Sequence, residues 1–283
     1  MKEQMNIVVV ASVAAAFGLL SVITPVSVHA QESTEGNTKD FVAPIVFQAA
    51  GPSVASILST VTEYRTALGD PNNGNNPPGP PPTSGRREIN WDGGNPNNTT
   101  TTIDGTPLTT FLLTRGAFIT TLGTAFIQAP PSGLANTFGN PTYETIFRAF
   151  SPQRLFSAIE SNLTEVHFFV PGGGGPATTK GFGAVFTDVD QPNGSGPGKK
   201  QGDRKASTLI EYFGTDGGLL FSSFVPASPG DGNFSFFGIV FRDARIAQVR
   251  ITSGDTAPGP NDDRRHDVVM MDDFLYAEPQ AIQ

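Results

Sequence analysis

The stretch Leu209-Ile210-Glu211-Tyr212-Phe213-Gly214-Thr215-Asp216-Gly217-Gly218-Leu219-Leu220-Phe221 decides how the rest of the chain is read. Two runs of aromatic and aliphatic side chains flank an Asp-Gly turn, the pattern of an antiparallel hairpin. The same punctuation recurs on both sides. Upstream, residues 166–170 form an apolar run that stops at Pro171-Gly172-Gly173-Gly174-Gly175, and 182–187 precede Pro192-Asn193-Gly194. Downstream, residues 234–241 follow Pro229-Gly230-Asp231-Gly232, and then come 247–252 and 268–276. Residues 86–91, 108–113, 118–121 and 125–128 add shorter strand candidates, whereas 155–156 is too short to assign. Evenly spaced strands separated by turns predict an all-β fold: an antiparallel β-sandwich, jelly-roll-like in its winding. The 32 Gly, 24 Pro and 22 Phe fit many short strands around an aromatic core. No internal repeat of fixed period is found.

One short N-terminal helix is expected within residues 51–68. Val54, Ile57, Leu58, Val61 and Leu68 recur at helical spacing, Ser53 stands at the cap position and Gly69 at the stop. The low-complexity run from Gly69 to Pro82 then reads as a linker into the sandwich. The expected organisation is a signal peptide at 1–30, a leader, helix and linker at 31–84, the sandwich at 85–279 and a tail at 280–283.

The signal peptide reading rests on Lys2, the apolar run 7–20 and Val28-His29-Ala30 before Gln31. The apolar run is shorter than the ~20 residues a membrane-spanning helix needs. Export to a secreted or periplasmic location is therefore expected, with no membrane insertion after cleavage. A formal charge of −8 argues against nucleic acid as a partner. The absence of cysteine excludes thiol catalysis and cysteine-held zinc or iron–sulfur centres, and in an exported chain it leans towards a bacterial source.

Three acidic constellations are candidate hard-cation sites. Glu88, Asn90 and Asp92 alternate along 86–92 and so share one strand face, with Ile89 and Trp91 on the other. The alternative for them is a solvated face paired with Arg86 and Arg87. Asp188 and Asp190 stand where an apolar strand opens into a Gly/Pro loop, a shape shared by calcium ligands and by turn-forming aspartates. Asp272 and Asp273 follow four apolar residues, so one of them is expected to point inward or to the sheet edge, and an inward carboxylate needs a partner: a Ca2+ ion, or an arginine among Arg115, Arg242, Arg245 and Arg250. No nucleophile elbow, phosphate loop or metal-binding histidine motif occurs. His167 reads as a half-buried strand residue and His266 as part of a charge cluster.

Four blocks carry a resemblance. They are Gly85-Arg86-Arg87-Glu88-Ile89-Asn90-Trp91-Asp92-Gly93, Gly181-Phe182-Gly183-Ala184-Val185-Phe186-Thr187-Asp188-Val189-Asp190, Phe224-Val225-Pro226-Ala227 with Phe236-Phe237-Gly238-Ile239-Val240-Phe241, and Met271-Asp272-Asp273-Phe274-Leu275-Tyr276. In this order they resemble uncharacterised exported bacterial β-sandwich proteins of the PEP-CTERM-associated type. The resemblance implies a secreted jelly-roll-like domain and no particular activity. The chain reaches Glu278-Pro279 without the apolar, basic anchor of the sorted members, so free secretion or periplasmic residence is expected over surface anchoring. A fold-level analogy to carbohydrate-binding modules implies a structural calcium shared by Glu88, Asn90 or Asp92 and Asp272 or Asp273.

The expected function is a non-catalytic, calcium-stabilised module that binds an extracellular glycan or surface polymer. Exposed aromatics on the Gly/Pro-rich loops are the expected platforms. The alternatives are a structural or matrix protein without a small ligand, and a glycoside hydrolase using an acidic pair.

Overall fold

The computed structural model describes residues 43–75, 80–93, 99–190, 207–260 and 266–282. The expected signal peptide and polar leader lie outside the described residues, as do parts of the linker, of the Asn/Thr-rich loop after Gly93, of the Gly/Pro loop after Asp190 and of the charge cluster before His266.

In chain order the elements are β1 (Ile45–Gly51), α1 (Val54–Leu68), β2 (Arg86–Ile89), β3 (Thr102–Gly105), α2 (Leu112–Arg115), β4 (Ala117–Thr120), β5 (Ala125–Ala129), α3 (Pro131–Phe138), α4 (Tyr143–Ile146), β6 (Leu155–Ile159), β7 (Leu163–Phe168), β8 (Ala177–Thr178), β9 (Gly181–Thr187), β10 (Leu209–Phe213), β11 (Leu219–Phe224), β12 (Phe234–Val240), β13 (Gln248–Thr252), β14 (Met270–Ala277) and β15 (Gln280–Ala281). They build an antiparallel sandwich. One sheet has eight strands in the order β1-β12-β9-β14-β6-β5-β3, with β2 also paired to β14. The other has five, in the order β11-β10-β13-β7-β4, and β8 and β15 form a small ribbon. From β6 onward the chain passes back and forth between the two sheets, which is jelly-roll winding. The hairpin expected at 209–221 is β10–β11, with Tyr212 opposite Phe221.

Three differences from the sequence expectations matter. The sheet begins before residue 85: β1 pairs along its whole length with β12, and residues 42–283 form one compact unit that includes the helix. Residues 108–113 are not a strand; Leu108 makes a single bridge to Ile119 before the short turn α2. The helices α3 and α4 interrupt the strand series between β5 and β6.

The main core lies between the sheets. Trp91 stacks on Phe156, centroids 3.7 Å apart, and meets Phe274 edge-on at 5.0 Å. Two further clusters lie on the outer side of the eight-stranded sheet. One is under α1, whose Ile57, Val61, Tyr64 and Leu68 are buried; the other is under α3 and α4. Leu58, expected on the buried stripe, is exposed, and Ser53 makes no side-chain cap hydrogen bond.

Tyr64 explains two glycines. Gly183 and Gly238 stand opposite each other on β9 and β12. A Cβ on either would come within 2.8 Å of the Tyr64 ring. The missing side chains form a notch in the sheet. The ring fills it, and its hydroxyl donates to the Ile239 carbonyl at 3.1 Å.

Candidate functional site

The first and last sandwich blocks meet within the eight-stranded sheet. β2 pairs with the end of β14, Glu88 opposite Leu275 and Ile89 opposite Phe274, while β9 runs along the other side of β14. Trp91 takes a φ of 63°, so strand alternation breaks there. The turn sends the indole into the core, where its N–H donates to the Asp272 carbonyl at 2.9 Å. It also brings Asp92 to the chain after α4, where its Oδ1 accepts from the Gln153 and Arg154 amides at 2.5 and 2.8 Å.

Ser151 is the hub of this cluster. Its Oγ lies 2.7 Å from Asp273 Oδ1, 3.1 Å from Asp272 Oδ1, 3.4 Å from Asp92 Oδ2 and 3.5 Å from the Asn90 carbonyl. A hydroxyl has one proton to give, so it cannot satisfy every oxygen around it. Burial, then the charge of Asp273, pushes the Asp272 pKa well above the carboxylate range, and burial also raises Asp273 and Asp92. Burial thus disfavours two adjacent charges here, and the Asp272 Oδ2 accepts from the Phe150 amide at 2.6 Å.

The remaining charge is met by arginine. Arg65, on the last turn of α1, places Nη2 3.2 Å from Asp273 Oδ2 and 3.0 Å from Glu88 Oε2. Arg86 adds a 2.6 Å contact to Glu88 Oε1. None of the four arginines proposed from sequence is the partner. Arg115 donates to the Glu88 carbonyl, Arg245 pairs with Asp243, Arg250 pairs with Glu165, and Arg242 is exposed. The reading of Arg87 as part of a solvated face is also corrected. Arg87 is fully buried and holds Glu278 through two bonds of 2.5 and 2.7 Å. Asn90 is exposed and brings only its carbonyl to the cluster.

Asp188 and Asp190 lie apart from this cluster, at the end of β9. Asp188 adopts a φ of 70°, and its amide donates to the Asn233 carbonyl at 2.9 Å. Its side chain is buried, and Oδ1 has no hydrogen-bond partner. Burial, then Asp190, Asp267 and Asp231, pushes its pKa up to about 9, only partly offset by the Gly232 amide; among the described residues no basic side chain is among the groups acting on it. Asp190 Oδ1 accepts the Gly230 amide at 2.7 Å. Asp267 accepts the Asp190 amide at 3.3 Å and the Ser207 hydroxyl. Asp231 and Asp267 escaped the sequence reading because they come from two other loops. Among the described residues, no three Asp, Glu or His side chains already stand as a metal-holding group.

The aromatics expected on loops stand instead on a sheet. Inward residues of the five-stranded sheet, such as Ile119, Val166, Val249 and Tyr212, are buried in the main core. The alternate residues face outward. Register aligns Phe118, His167, Gln248 and Phe213 in one row and Thr120, Glu165, Arg250 and Glu211 in the next. All eight are half-buried. Phe118 packs edge-on to Phe169 at 5.9 Å. The Arg250 guanidinium sits 5.2 Å over the Phe213 ring and 2.8 Å from Glu165. Burial lowers the His167 pKa, with Glu165 pulling the other way.

No family model matches this chain, and no curated protein or solved structure does.

Proposed function

We propose that this protein is an exported, non-catalytic binding module whose five-stranded sheet lies along an extracellular glycan of low charge. The observation that carries the reading is the set of half-buried rings on the outer face, Phe118 and Phe213 in one row with Phe169 packed beside Phe118, interleaved with hydrogen-bonding side chains. Partly exposed rings can pack against the C–H faces of sugars, and Gln248, Glu211 and Thr120 can bond hydroxyls. Glu165 is already paired with Arg250, so the face offers little net charge to attract an ionic polymer. Five strands at ~4.8 Å spacing span about 19 Å, room for several linked sugar rings. The Asp272 and Asp273 carboxylates, 1% and 2% exposed around Ser151, support a structural role in the sandwich over an acid–base pair in a cleft.

A panel of soluble polysaccharides in native gels tests the reading. Retardation by at least one neutral glycan, relieved in Phe118→Ala and Phe213→Ala, is the expected result. Unchanged mobility across the panel would favour a matrix role without a glycan ligand.

A further inference from the structure

We propose that the Asp188 cluster is a binding site for one hard divalent cation of the calcium class, with Asp188, Asp190, Asp231 and Asp267 as its carboxylate ligands. The inference is independent of the glycan reading. Its first support is the Asp188 side chain. That residue is 7% exposed, and its Oδ1 has no hydrogen-bond partner. A buried carboxylate oxygen left unpaired is costly, and structures keep such a group where a ligand compensates for it. The second support is convergence. Asp188 and Asp190 follow β9, Asp231 precedes β12, and Asp267 precedes β14, yet hydrogen bonds tie the three segments together: the Asp188 amide to the Asn233 carbonyl at 2.9 Å, the Gly230 amide to Asp190 Oδ1 at 2.7 Å and the Asp190 amide to Asp267 Oδ1 at 3.3 Å. Three separate parts of the chain thus bring carboxylates towards one buried oxygen, and among the described residues no basic side chain is among the groups acting on it. The third is backbone. Asp188 holds a φ of 70°, a conformation uncommon for a residue with a Cβ.

The donor chemistry selects the ion. Every proposed ligand is a carboxylate oxygen, which suits calcium or magnesium over zinc or copper. The nearest imidazole on the same loop, His266, faces Asp255 at 3.5 Å. The four carboxylates do not yet chelate as they stand. Asp188 is buried and Asp267 is held by Ser207, whereas Asp231 is exposed and Asp190 half-buried, so closure falls to rotamer changes of the latter two. Calcium tolerates irregular, flexible geometry better than magnesium, so it is the expected occupant. The contrast with the Ser151 cluster is informative: there Arg65 already supplies the cation.

Calorimetric titration of the purified, chelator-stripped chain with CaCl2, paired with thermal melts, tests the site. The expected result is about one ion per chain and a melting rise of about 5–10 °C at ~100 times the dissociation constant. Asp188→Asn should abolish both while melting no lower than wild type in chelator. The exposed Asp231→Asn, which spares the buried position, should weaken binding by ~10-fold or more. No response to calcium, magnesium or manganese would overturn the proposal. So would a response that survives both variants, or one that survives them and vanishes in Asp273→Asn.

Discussion

The two sheets of this sandwich share one core but treat their outer faces in opposite ways. In the eight-stranded sheet β9, β12 and β14 are buried at every position, because α1, α3 and α4 pack on the outer side. In the five-stranded sheet β7 and β10 alternate buried with half-buried, and the outer side belongs to none of the hydrophobic clusters. A strand covered on both faces reads as a continuous apolar run, and a strand covered on one face alternates. The Phe182–Phe186 and Phe234–Ile239 segments follow the first rule, and Leu163–Phe168 the second. The difference separates a structural sheet, locked by a helix and buried charges, from one that keeps rings near solvent.

The comparison breaks most readily at Tyr64. Its ring fills the notch at Gly183 and Gly238, so Tyr64→Ala should cost about 3–5 kcal/mol in urea unfolding. Phe213→Ala on the bare sheet should cost about 1 kcal/mol or less, since its ring is only half-buried. Equal losses would erase the distinction between the faces. An effect between these two is expected at Arg65, whose side chain is 24% exposed but which neutralises the nearly buried Asp273. Arg65→Ala should cost about 2 kcal/mol, below the cost of breaking a fully buried pair because solvent shares the screening.

The pH dependence sharpens the account further. Asp188 and Asp272 both have pKa values raised above those of ordinary carboxylates. The folded state then binds their protons more tightly than the unfolded state, so their contribution is fully present in acid and lost as pH rises. For Asp188 the window runs from about pH 4 to about pH 9. In chelator, wild type should lose stability across that window, and Asp188→Asn should lose less. Parallel pH profiles would contradict the assigned environment of Asp188.

Much of the fold was legible in the sequence, because turn chemistry is local. The Asp216-Gly217 hairpin and the strands β9 and β12 carry their own Gly and Pro boundaries, and charged runs precede β13 and β14. β1 was hidden because Gln48-Ala49-Ala50-Gly51 has weak strand propensity and gains its place only by pairing with β12. α3 opens on Pro131-Ser132-Gly133, which reads as a turn; the Pro at the first helical position was the overlooked signal. The meeting of Glu88 with Asp273 could be anticipated from two acidic strands, but Arg65 and Ser151 could not, since no spacing links a helix and a loop to those strands. Trp91 shows the limit of alternation: one left-handed residue redirected Asp92. The members of the aromatic row could not be named from sequence for a related reason, because they align only once register joins β4, β7, β13 and β10.

The most direct test of the functional claim sets the two outer faces against each other in one native-gel experiment. A variant of the bare sheet, Phe118→Ala with Phe213→Ala, is run beside Leu58→Ala, an exposed change on the helix that covers the other sheet. Against the polysaccharide that retards wild type most, the bare-sheet variant should run free by a ~10-fold or greater loss of affinity, which is ~1.4 kcal/mol. Leu58→Ala should be retarded like wild type. Equal retardation of all three proteins would contradict the assignment of binding to the five-stranded sheet.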